Sequence, residues 1–174
     1  MLVRLGTLLW LIAATTGVWA MTPTCEELVE AVPAALREAR EVVVSVTLEQ
    51  GGREIAFERS RILRAQDGGT TVSVLERRGL RRPGGTGGPP GDGGRFEWPC
   101  DDHALLFRDD GHVELRLRHA DPDAPVAEWL VRLVASDGRW RPVELVATFT
   151  VRVLLVAIRG RIVTTFDAWR FGDP

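Results

Sequence analysis

Residues 42–78, "VVVSVTLEQGGREIAFERSRILRAQDGGTTVSVLERR", decide the fold class. Apolar and polar residues alternate with a period of two, the pattern of strands that bury one face. Val42, Val44, Val46 and Leu48 fall on one side, Ser45 and Thr47 on the other. "EQGGRE" is a hairpin turn signal, and "REIAFERSRILRA" returns as a second strand. "QDGG" turns the chain again, and "TTVSVLERR" makes a third strand with Val72 and Val74 in phase.

The same pattern runs downstream. "ALLFRDDGHVELRLRH" reads as strand, turn at Asp109-Asp110-Gly111, strand. Val113, Leu115 and Leu117 face one way there, and Glu114, Arg116 and Arg118 the other. "HADPDAP" is a loop. "VAEWLVRLV" and "PVELVATFTVRVLLVAI" flank the turn "SDGR", and "RGRIVTTFDAWRF" closes the chain after an expected turn near Arg159-Gly160. Connections this short impose antiparallel pairing, because a parallel pair needs a crossover of about a dozen residues or more. "VELVATFTVRVLLVAI" is apolar on both faces, so it is a central strand or two strands joined by a bend. Its second face has to be hidden by the helix, a partner chain or an apolar ligand.

Upstream, "TCEELVEAVPAALREAR" carries a helix-start signature, with Thr24 as N-cap and Glu27 completing a capping box. Leu28, Val29, Val32, Leu36 and Ala39 form one apolar stripe. Pro33 interrupts it and predicts a kink or split at Val32. The expected fold is therefore α+β and mainly β: an N-terminal helix packed against a curved antiparallel meander of about eight strands.

The first residues, "MLVRLGTLLWLIAATTGVWA", have one positive charge at Arg4, then an apolar run, then Val18-Trp19-Ala20. This order predicts a signal peptide over residues 1–20 and a single exported domain over 21–174, with a Gly/Pro-rich loop at 79–99. The run is shorter than the roughly 20 residues of a spanning helix. Cys25 and Cys100 are the two cysteines of the chain. In an oxidising compartment, periplasmic or extracellular, an even pair reads as a disulfide.

Composition removes several chemistries. The chain of 174 residues has a net charge of −2, which gives no global field for nucleic acid. It contains no lysine, tyrosine or asparagine, so no Schiff-base lysine or tyrosine acid is available. "GGTGGPPGDGG" is no phosphate loop: Pro89, Pro90 and Pro99 block the helix that such a loop must open. Cys100 and His103, with His112 and His119 further on, are too few for a zinc set, and no metal or other cofactor is expected. Four serines, Ser45, Ser60, Ser73 and Ser136, lie in strand or turn patterns without a nucleophile elbow. The acidic pairs Asp109/Asp110 and Asp121/Asp123 read as turn formers. The expectation is a protein that is not an enzyme.

What remains is apolar and cationic. Trp129, Phe149, Phe166 and Trp169 are candidates for a ligand cavity between sheet and helix, with Phe96 and Trp98 as loop or lid anchors. Arg77, Arg78, Arg81 and Arg82 are candidates for contact with anionic headgroups at a membrane surface or with envelope polymer.

A helix followed by a long antiparallel meander, with the turn-Pro-strand element "SDGRWRPVELVATF" near the end, resembles LolA-like and LppX-like lipoprotein-carrier domains over most of residues 24–171. The resemblance lies in order and pattern, with no position matched to a family binding residue. It implies a half-open barrel that wraps a helix and holds acyl chains in an apolar concavity. The expected function is then non-catalytic binding or carriage of a lipid or lipoprotein acyl chain in the cell envelope. The alternative is an envelope interaction module with a closed core, a protein partner and no ligand. The glycine-rich loop departs from the helical segments with which the family closes its cavity.

Overall fold

In the computed structural model, which describes residues 22–65, 67–79, 98–108, 111–121, 124–153 and 156–172, the chain enters its first helix through Thr24. The Thr24 hydroxyl accepts the Glu27 amide at 3.2 Å, and the Glu27 carboxylate accepts the Thr24 amide at 2.9 Å. This capping box opens α1 (Cys25–Glu38). Pro33 lies inside α1, and the helix runs past it, so the expected split at Val32 does not occur. Burial of Leu28, Val29 and Val32 on the sheet contributes roughly 1.5–3 kcal/mol for each, which offsets the ~3 kcal/mol cost of an internal proline.

Eight strands follow: β1 (Ala39–Gln50), β2 (Arg53–Arg64), β3 (Thr70–Gly79), β4 (His103–Phe107), β5 (His112–Arg118), β6 (Val126–Ser136), β7 (Arg139–Val153) and β8 (Val156–Phe171). All pair antiparallel in one open sheet of order β3-β2-β1-β8-β7-β6-β5-β4. The fold is mainly β with one described helix, as the alternation of residues predicts. The order is not one simple meander. Two meanders run outward from a central pairing of β1 with β8, the first strand with the last. The strands before and after the Gly/Pro-rich stretch, β3 and β4, are therefore the two opposite edge strands of the sheet.

Turn chemistry behaves locally. Gly51 and Gly52 both have positive φ, 58° and 75°, which places two left-handed residues between β1 and β2, where a side chain would be strained. The expected turn at Arg159-Gly160 is absent. Gly160 lies inside β8, paired with Phe149, and the β7–β8 ladder runs on to the pair Val153–Val156. The doubly apolar stretch is thus two strands, β7 and β8.

The core sits under α1. Cys25, Leu28, Val29 and Val32 pack on Val113, Leu115, Leu117, Val131 and Leu133 from β5 and β6. A disulfide joins Cys25 to Cys100, with the Cα atoms 5.9 Å apart. It ties the first turn of α1 to the segment that enters β4. A second, smaller cluster gathers Ala39, Val42 and Phe166, with Trp169 and Phe171 beside them. Leu36 and Leu145 touch both clusters.

Candidate ligand-binding face

Strand register maps the face that carries α1. Paired residues in an antiparallel ladder point to the same side. One row runs Ala56–Leu48–Ile162–Ala147–Trp129–Leu117 across β2, β1, β8, β7, β6 and β5. Its β5–β7 end lies in the core beneath α1. Its β8–β1–β2 end lies beyond the helix. The face is therefore continuous: one half is covered and the other is open.

The open half exposes several apolar side chains. Val46 is 38% exposed, Ile162 37%, Val72 44% and Val74 49%, and register puts all four on the helix-bearing face. Val44 and Ile62 flank them, half-buried against the second cluster. Glu58, Ser60 and Thr164 lie between them on the same face, and Leu63 and Leu106 are exposed on the opposite one.

The aromatic candidates fall in more than one cluster. Trp129 stands in the covered core, its ring 5.3 Å from that of Trp98 in an edge-on contact. Phe166 stacks on Trp169 at 5.8 Å, and Trp169 on Phe171 at 5.7 Å, in the second cluster. Phe149 lies over Gly160 at the far end of the sheet. Trp129 and the Phe166–Trp169 pair thus stand in different clusters, while Phe149, two residues past Ala147 on the same face of β7, is a diagonal neighbour of Trp129. Trp98 is a core packing residue. Phe96 lies outside the described residues, as do Arg81, Arg82 and residues 1–20.

Arg77 and Arg78 point to opposite faces. Arg77 pairs with Glu58 across β3 and β2 on the helix-bearing side. Its Nη2 and Nε lie 2.7 and 2.9 Å from Glu58 Oε2. Arg78 lies on the outer side, 3.3 Å from Glu54, 3.1 Å from Glu76 and 4.3 Å above the Phe57 ring. The two described arginines are each balanced by carboxylates and do not form a common cationic patch. Alternation along a strand separates neighbours by design.

A polar cluster on the outer face escaped the sequence reading. Glu114 is completely buried, although it alternates outward on β5. Three guanidiniums cover it: Arg108 and Arg116 approach to 2.8 Å and Arg132 to 3.2 Å. Arg132 also reaches Glu144 at 2.6 Å. Burial pushes the Glu114 carboxyl up, but hydrogen bonds from Arg116, Arg132 and Arg108 outweigh it and hold the group below the ordinary carboxylate range. The spacing Glu114-x-Arg116 on one strand face was the available signal. Arg132 came from another strand and gave none. Cys100 sulfur is engaged in the disulfide, so it offers no thiolate, and His103 Nδ1 lies 2.6 Å from the Cys100 carbonyl oxygen.

No protein-family model and no curated protein matches the sequence. Among solved structures, the chain is similar to a LolA superfamily protein from Nitrosomonas europaea. The two are 11% identical with a TM-score of 0.30, and the match covers 88% of this chain and 96% of that one. No residue role transfers from that likeness.

Proposed function

We propose that the protein is an exported, non-catalytic binder of an apolar ligand such as a lipid or an acyl chain, acting as one domain over residues 21–174. The observation that carries this reading is the open half of the helix-bearing face. Val46, Ile162, Val72 and Val74 remain exposed on the face whose row Ala56–Leu48–Ile162–Ala147–Trp129–Leu117 runs into the core. A ligand lying there would bury apolar area at roughly 25 cal/mol per Å2. The Cys25–Cys100 disulfide supports an oxidising compartment.

The test is native mass spectrometry of protein purified from an exporting host, together with titration of a fluorescent fatty acid. A bound lipid mass and saturable binding are expected, and Val46→Asp should weaken the binding. A clean apo mass with no probe binding would sink the reading. A second reading, an interaction module, is favoured by the β3 edge, whose ten residues are all exposed. There a partner strand would add to the sheet. Crosslinking that recovers a protein through β3, with no lipid bound, would favour it.

A further inference from the structure

We propose that the Glu58–Arg77 pair is a headgroup anchor, and that the ligand of the open face is an amphiphile with an anionic head and a long apolar tail. The inference rests on the apolar-ligand reading above and deepens it.

The pair stands at the edge of the sheet beside the exposed apolar residues, with Arg77 on the edge strand β3. Its register row is Arg77–Glu58–Val46–Thr164, and the next rows carry Val74 on one side and Leu48 on the other. The pair is part-exposed, 48% at Arg77 and 33% at Glu58, so it keeps contact with water and adds little to stability. Ser60, which is buried, donates to Glu58 Oε1 at 3.3 Å, and Arg77 takes up Oε2. Both carboxylate oxygens of Glu58 are therefore engaged. Arg77 uses only one edge of its guanidinium, Nε and Nη2, and both donors end on a single oxygen. Its side chain remains 48% exposed, and among the described residues Glu58 is its only ion-pair partner. A guanidinium carries five N–H donors in a planar fork that suits carboxylate and phosphate. The leftover donors favour an anion, in competition with Glu58, whose Oε1 accepts only the 3.3 Å bond from Ser60.

The geometry also sets the tail. From β3 to β7 the sheet crosses four strand spacings, roughly 19 Å. The row Ala56–Leu48–Ile162–Ala147 lines that path without a charge. A head held at Arg77 would lay its chain across the strands toward α1.

The test compares dansyl undecanoic acid with its methyl ester, which has the same chain and no charge, on the full folded protein at neutral pH. The acid should bind wild type more tightly than the ester. In Arg77→Gln the acid should weaken about tenfold or more, the loss expected for one charge-assisted hydrogen bond, while the ester changes by less than about twofold. Ester binding also certifies that the variant is folded. Glu58→Gln removes the competing carboxylate, so it should tighten the acid. Acetate, a head without a chain, should not compete. Equal loss of both probes, or no loss of either, overturns the headgroup anchor and leaves the apolar face standing. Displacement by millimolar acetate overturns it in favour of a free-anion site. If neither probe binds wild type, both this inference and the apolar-ligand reading fall.

Discussion

The ring of Phe149 fills the space that a side chain at Gly160 would need. A Cβ built at Gly160 would lie 2.5 Å from Phe149 Cζ and 2.9 Å from the Glu49 carbonyl oxygen. The glycine is there for close approach, not for a turn. Gly160→Val should therefore cost about 1–3 kcal/mol of stability through overpacking. Urea denaturation measures it, and Phe149→Ala in the same chain should recover part of the loss. A cost within noise would show that the strand simply shifts.

The disulfide closes a loop of 75 residues between α1 and β4. In the chain-entropy view it stabilises by roughly 4 kcal/mol. The double variant Cys25→Ser/Cys100→Ser should lose most of that in chemical denaturation. Thiol labelling of the unfolded, unreduced protein should find no free cysteine; two labels would refute the pairing.

The Glu114 network makes a pH prediction. Its carboxyl is depressed in the folded state, so the stabilisation is fully present above the unfolded value and is lost as pH falls through the folded one. Stability should therefore decline below about pH 4. Glu114→Gln should be less stable at pH 7 by about 1–3 kcal/mol, and its acid limb should be flatter. Denaturation midpoints across the acid range check this; superimposable limbs would remove Glu114 from the account.

Ala168 has a φ of 50°, a left-handed conformation unusual for a residue with a side chain. It lies where the β1–β8 register shifts, and this shift brings Phe166 and Trp169 to the same side to stack. An L-residue there costs about 1–2 kcal/mol. Ala168→Gly should then stabilise by up to about 1 kcal/mol, once the greater entropy of the unfolded glycine is counted. A loss of stability would mean that the bulge is not strained.

Much of the fold was legible in the residues themselves. Alternation marked the strands, "EQGGRE" and "SDGR" marked the hairpins, and Thr24 with Glu27 marked the start of the helix. The failures have a common cause. Gly160 looked like a turn because glycine signals turns and close contacts alike, and only Phe149 distinguishes the two. Arg77 and Arg78 looked like one patch because they are adjacent in the chain, yet alternation sends them to opposite faces. Trp129, Phe166 and Trp169 looked like one cavity because aromatic residues cluster, yet Trp129 packs in one cluster and Phe166 with Trp169 in another.

The sequence by itself determined the element types, the antiparallel pairing of neighbours and the cysteine pair. These follow from local periods, turn residues and an even thiol count. Only the tertiary structure decided that β1 pairs with β8, that α1 covers one half of the sheet and leaves the other open, and that three arginines enclose Glu114. Each of these joins residues far apart in the chain. Local periodicity tells a strand which face to bury, but not which strand will lie beside it.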